Sequence, residues 1–210
     1  MDSQSVSIAP PNPVAAAFLV RFLEVVSRVD LGAVDRVTRL LADARERGAT
    51  IYIAGNGGSA MIASHWVNDL GKATKASGRP PMRVMSLSDN VSWLTALAND
   101  EGYERAFAGQ LENFARPGDV LVVISSSGNS LNLVRAVELA RSRNVHTVGL
   151  LGFDGGKLRT MVDEMILIET EPGAYGLVES THEMLAHMIT MCLAEKSPTL
   201  EVAVPDAIVG

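Results

Sequence analysis

The sequence predicts an α/β fold, a mostly parallel, doubly wound sheet with helices on both faces. Short apolar runs of strand length alternate with longer segments whose apolar residues recur every three or four positions, the pattern of strands joined by crossover helices. Two loops of small residues, 55–59 and 125–130, each follow an apolar run and precede a helical segment. Ligand loops of open sheets lie at such carboxyl ends of strands. A length of 210 residues suits a single core, and 47% apolar with 20% charged residues suits a globular chain.

The elements follow in order. Residues 1–13 are polar and contain proline, and are expected to form a mobile arm; 14–196 is read as one domain and 197–210 as a tail. Segments 14–29 and 31–47 have the spacing of amphipathic helices, with Asp30 placed to cap the second. They precede any strand, so they either cover a sheet face or build a helical subunit interface. Apolar runs then occur at 50–54, 83–87, 119–124, 146–151 and 165–168. Helical segments at 59–71, 90–98, 103–114, 131–144 and 177–196 follow most of them. Pro117-Gly118-Asp119 marks a turn before the third run. Trp66 and Trp93 fall on helices and read as packing residues. Cys192, in an apolar helical stretch, reads as a buried, inert thiol.

Composition narrows the function classes. A lone cysteine excludes a disulfide framework within the chain. The net charge of −6, with no basic stripe, argues against nucleic acid as the main partner. No apolar run reaches the ~18 residues that span a bilayer, so no membrane partner is expected. The start lacks the basic and apolar regions of a signal peptide, and the expected location is the cytoplasm.

The first loop is Gly55-Asn56-Gly57-Gly58-Ser59 and the second Ser125-Ser126-Ser127-Gly128-Asn129-Ser130. A strand ending in such a loop aims backbone N–H groups, hydroxyls and a helix N-terminus at one point, which holds a phosphate without lysine. Each loop alone is also an ordinary turn; two at matching positions point to a phosphorylated ligand gripped twice. Ser59, Ser125, Ser127 and Ser130 are the hydroxyls placed on it. Asn56 and Asn129 either shape the loops or touch ligand oxygens. Neither loop has the Gly-Lys-Ser/Thr of a nucleotide P-loop, and the Gly-x-Gly-x-x-Gly dinucleotide pattern is absent, so no nucleotide cofactor is expected.

His65 and Asp69 are four apart on the helix that follows the first loop and share a face. Glu179 and His187 lie on the last helix, about two turns apart and near 80° in phase, so both can face one cleft. His65, Glu179 and His187 together form a donor set for zinc or a similar divalent metal. Each histidine alone also reads as an ordinary hydrogen-bonded residue. Asp100 is placed to orient a ligand hydroxyl or, as its position alone favours, to cap the helix beginning near Tyr103.

These residues resemble a known family. Ile53-Ala54-Gly55-Asn56-Gly57-Gly58-Ser59-Ala60, Ser64-His65-Trp66, Leu94-Thr95-Ala96-Leu97-Ala98-Asn99-Asp100 and Gly118 through Ser130 are similar to the sugar isomerase (SIS) domain family, and within it to the phosphoheptose isomerase branch. The resemblance runs from about Phe18 to Glu195. It implies a five-stranded parallel sheet in a three-layer, flavodoxin- or Rossmann-like sandwich, usually a homotetramer with sites between subunits. It implies phosphate binding by Ser59, Ser125, Ser126, Ser127 and Ser130, with Asn56, Gly57, Gly58, Asp100 and Glu179 in the substrate site. It implies metal ligands or acid/base groups at His65 and His187, with zinc in some members.

Three departures from the branch stand at site positions: Asp69 where it has glutamate, Glu179 where it has glutamine, and Gly176 where it has aspartate. The shorter Asp69 arm shifts a carboxylate by roughly an ångström, a displacement that can cost ~100-fold in rate. Glu179 is a better partner for a cation than an amide is. The implied reaction is aldose–ketose isomerisation of sedoheptulose 7-phosphate through an enediol, with Asp69 as carbon base and His187 as acid/base partner. The alternatives are a non-catalytic SIS regulatory or assembly protein that binds a partner protein, and an isomerase of another sugar phosphate.

Overall fold

A computed structural model describes residues 12–194. The expected arm, apart from its last two residues, and the expected tail lie outside the described residues. Seven α-helices and five strands follow in chain order: α1 (Pro13–Val26), α2 (Leu31–Glu46), β1 (Thr50–Gly55), α3 (Gly58–Lys72), β2 (Arg83–Ser86), α4 (Val91–Asp100), α5 (Ala108–Phe114), β3 (Val120–Ser125), α6 (Leu131–Ser142), β4 (His146–Phe153), β5 (Glu164–Glu169) and α7 (Tyr175–Ala194). Asp30 caps α2 as expected, its carboxylate accepting from Ala33 N at 3.1 Å.

The strands form one sheet in the order β2-β1-β3-β4-β5, with every pairing parallel. The chain steps outward from β1 to β2 and then returns to the other side of β1 to add β3, β4 and β5. The order therefore reverses between β1 and β3, which are direct neighbours. Crossovers depart in opposite directions there and leave a crevice at the strand ends, the switch point where ligands of open sheets bind. Both small-residue loops emerge at that crevice.

Alternation along the central strands divides the core. Val120, Val122 and Ile124 of β3 face a layer built from Ile62 and Trp66 of α3, Val37 and Leu41 of α2, and Leu185 and Ile189 of α7. Leu121 and Val123 face Phe107, Leu111 and the α6 residues Leu133 and Val137. Period-two side chains buried on both sides require helices on both sides. Trp66 is fully buried and its indole N–H donates to Thr190 Oγ1 at 3.2 Å, tying α3 to α7. Trp93 packs edge-on against Phe114.

Three local expectations are corrected. Segment 103–114 is not one helix: a 3-10 turn at Tyr103–Arg105 precedes α5. Between them Ala106 and Phe107 are fully buried, so the chain bends to insert Phe107 under α6. Asp100 does not cap the turn at Tyr103; that position is Gly102, with φ 98°, while Asp100 ends α4 and accepts from Asn99 Nδ2 at 2.7 Å. Cys192 is exposed, because the buried face of α7 runs through Ile189 and Leu193 instead. Among the described residues no helix is long and apolar enough to cross a membrane.

Candidate active site

The two loops meet as their positions require. Asn56, Ser59, Ser125, Ser126, Ser127, Ser130, Tyr175 and Glu179 line one cavity of about 180 Å³ at the switch point. A larger cleft of about 400 Å³ lies away from it, between the α1–α2 corner and β5, and contains neither a histidine nor a serine. Convergent hydroxyls and helix N-termini, rather than size, mark the smaller cavity as the candidate ligand site.

The second loop is held in shape by its own polar groups. Gly128 N donates to Ser125 Oγ at 3.0 Å, Asn129 N to Ser127 Oγ at 3.3 Å, and Asn129 Oδ1 accepts from Lys157 N at 3.1 Å. Gly128 has φ 63°, and a Cβ there would lie 1.9 Å from Gly155 O, so glycine is needed for both conformation and room. Ser130 occupies the N-cap of α6 without a capping bond from its side chain. Ser126 Oγ is buried and has no partner among the described residues. The first loop is fixed by Asn56: its Oδ1 accepts from Tyr103 Oη and Asn132 Nδ2, both at 2.8 Å, and its Nδ2 donates to Asn132 Oδ1 at 3.0 Å. Its amide shapes the loop. Gly58 opens α3, and a Cβ there would lie 2.4 Å from Glu179 Oε2, so the glycine admits that carboxylate to the helix start.

Both walls continue along α3 and α7 into a second cluster. His65 lies six residues beyond Ser59, about 9 Å along the helix axis. His65 and His187 stand edge to face with ring centroids 5.1 Å apart. His187 Nδ1 is 3.1 Å from Asp69 Oδ2, and His65 Nε2 is 3.6 Å from Asp69 Oδ1. Glu183 Oε1 contacts His65 Nδ1 and lies 3.5 Å from His187 Nε2. The cluster is half-exposed, open to a ligand.

The expected triad of His65, Glu179 and His187 is therefore not assembled. The group whose donor atoms lie within 4.8 Å of one another is His65, Glu183 and His187. Residue 183 is one turn before 187 and nearly in phase with it, whereas 179 is rotated away and enters the serine cavity. Glu183 was missed although its four-residue spacing to His187 repeats that of His65 and Asp69; Glu179 drew attention away from it. Tyr103, Asn132 and Tyr175 gave no local signal. Asp100 does not line the cavity, and Gly176 lies instead against Phe18 of α1.

His182, next to Glu183 in sequence, points the opposite way. It is fully buried, and neither ring nitrogen has a well-formed hydrogen bond. Burial pushes its pKa down to about 4, opposed by the nearby Leu151 backbone.

A parallel sheet in this order, with serine loops at its switch point, defines a three-layer α/β domain with a candidate ligand cavity, and the chain belongs to the SIS domain family, whose model matches residues 16–152. Relatives within that family include proteins named phosphoheptose isomerase. The enzyme of that name from Akkermansia muciniphila is 39% identical over 158 residues, covering 75% of this chain and 82% of that one. The structure of phosphoheptose isomerase GmhA from Neisseria gonorrhoeae superposes with a TM-score of 0.77 at 31% identity, over 86% of this chain and 96% of that one. A phosphoheptose isomerase from Francisella tularensis shares the fold, with a TM-score of 0.80 at 22% identity over 88% and 98% of the two chains.

Proposed function

We propose that this chain is an aldose–ketose isomerase that converts sedoheptulose 7-phosphate to a heptose 7-phosphate in the cytoplasm. The observation that carries the reading is the pairing of a serine-lined cavity with an imidazole–carboxylate cluster further along the same two helices. A phosphate in the cavity leaves the reacting end of an extended sugar free to reach the cluster. Relatives named phosphoheptose isomerase support the substrate.

In this reading Ser59, Ser125, Ser126, Ser127 and Ser130, with the backbone of Gly57 and Gly58, bind the phosphate. Asn56 holds the first loop in position, and Glu179 binds a sugar hydroxyl. Isomerisation moves a proton between C1 and C2 and another between their oxygens. Asp69 takes the carbon-bound proton and returns it at the neighbouring carbon; His187 serves the oxygens. Binding the remote phosphate orients the reacting carbons against these groups. His65 and His187, with a carboxylate beside them, fit a divalent ion such as zinc, and a His187 that holds the ion does not shuttle protons in the same state. When bound, that ion supplies positive charge for the enediolate oxygens. Asp100 has no cavity contact within one chain, so its proposed role depends on a site shared between subunits of a homotetramer.

Turnover of sedoheptulose 7-phosphate, with product separation by anion exchange, tests the reading in chelated and zinc-supplemented protein. An aldoheptose product is expected. Absence of product in both conditions would move the assignment to another sugar phosphate or to a binding protein.

A further inference from the structure

Among the described residues, no lysine, arginine or histidine lines the serine cavity, and its one carboxylate is that of Glu179. A phosphate there is held by neutral donors. The polarity of each lining amide therefore matters: an N–H attracts an anion, and a carbonyl oxygen repels it. Asn56 supplies the side-chain amide of the lining.

Asn56 and Asn132 bond to each other both ways, and such a pair is unchanged when both amides flip together, because oxygen and nitrogen trade places in both. The choice is made outside the pair. Leu133 N, which also reaches Ser130 O at 3.1 Å, donates to Asn132 Oδ1 at 2.9 Å. A backbone N–H only donates, so a flipped Asn132 would set N–H against N–H. Asn132 Nδ2 is thus left to donate to Asn56 Oδ1 at 2.8 Å, and Asn56 Nδ2 to donate to Asn132 Oδ1 at 3.0 Å. The Tyr103 hydroxyl, which by itself donates or accepts, is left to donate to the same Asn56 Oδ1 at 2.8 Å. Two donors fill both lone pairs of that oxygen, while Asn56 Nδ2 keeps one hydrogen uncommitted.

We infer that Asn132 and Tyr103 are positioning residues for the cavity: acting through Asn56, they keep its amide oxygen occupied and leave an N–H for a ligand oxygen. Neither residue lines the cavity itself. The same unit ties the two loops together. Asn132 is the second residue of α6, directly after the second loop, and Asn56 O accepts from Ser59 N at 3.0 Å where α3 begins. The ligand's identity rests on the sugar-phosphate reading. The two residues act on how that ligand is held and not on the reacting carbons.

The test titrates the full chain with inorganic phosphate and with sedoheptulose 7-phosphate, and measures kcat and KM beside the affinities. Tyr103→Phe keeps the ring and removes one donor. It is expected to weaken both ligands about fivefold, the worth of one hydrogen bond. KM should rise by the same factor with kcat within about twofold, the mark of lost uniform binding. Asn132→Ala should weaken both ligands about tenfold or more, since it removes a donor and frees the polarity of Asn56. Once Asn132 is gone the phenol has no set amide to complete, so adding Tyr103→Phe should cost less than about twofold further. A merely structural tyrosine would give additive losses instead. Circular dichroism melts check folding, and the half-exposed Tyr103 decides the matter alone if the buried Asn132 does not tolerate alanine. Wild-type affinity and KM in Tyr103→Phe, a loss confined to kcat, or full additivity overturns the inference, as does a wild type that binds neither ligand. The expected pattern of affinities without turnover of sedoheptulose 7-phosphate would overturn the isomerase reading alone.

Discussion

Asp69 touches both histidines, yet its side chain is only one-fifth exposed and Asn68 Nδ2 also donates to it at 3.2 Å. Replacing it by asparagine removes the anionic partner of two imidazoles while keeping the shape. Asp69→Asn is therefore expected to retain sugar-phosphate binding within a few-fold and to lose about 10²–10⁴ in turnover, the range for a positioned acid or base. Unchanged kcat in that variant would remove Asp69 from the chemistry. His182 provides a separate residue-scale prediction. Its pKa falls from 6.5 in the unfolded chain to about 4 in the buried site. Between those values the unfolded chain binds a proton that the native one does not. The contribution is thus fully present above pH 6.5, is lost as pH falls below it, and is exhausted near 4. The loss amounts to about 3 kcal/mol. Urea midpoints of wild type and His182→Met between pH 4.5 and 7.5 check this: the variant should show a flatter dependence, and equal slopes would refute it.

At the scale of elements, the strand ends and helix starts were legible because their signals are local. Apolar runs, an Asp cap and paired Gly/Ser loops each act within a few residues, so β1, β3, α2, α3 and α6 fall within about two residues of expectation. Segment 103–114 was not legible as two pieces. Its break comes from burying Phe107 against α6, a contact between residues distant in sequence. The ligand geometry failed for a related reason. Helical phase placed Glu179 and His187 near one cleft, and which carboxylate of α7 reaches the histidines depends on how α7 lies on α3. The serine loops met as expected because the switch point forces them together. Gly128 tests how tightly. Alanine there combines a left-handed φ with a 1.9 Å approach to the Gly155 carbonyl. Gly128→Ala is expected to cost at least about 2 kcal/mol and to weaken phosphate binding more than tenfold. Thermal melts and sugar-phosphate titration measure both, and wild-type values would show that the loop yields.

At the scale of the molecule, α1 presents apolar side chains that the described residues leave exposed. Val14, Leu19 and Leu23 are 75%, 60% and 67% exposed, and Phe18 and Val20 are exposed as well. The sequence left two uses for this helix, and the structure has it contacting α7 while those side chains stay exposed. Large apolar side chains left exposed together on one helix point to an interaction surface. Leu19→Glu with Leu23→Glu is expected to lower the mass seen by light scattering and the unfolding temperature together. An unchanged mass would place the subunit interface elsewhere.

The sheet order has a consequence for folding. Since β1 is paired on one side by β2 and on the other by β3, the two loops meet only after a crossover from residue 55 to residue 120 has closed. Such long-range parallel pairing is slow to form. A chain arrested with only β1 and β2 paired would have one loop, no crevice and a bare apolar strand edge. Sugar-phosphate binding should therefore recover late in refolding, together with the burial of Trp66 and not before it, so that recovered binding counts completed sheets.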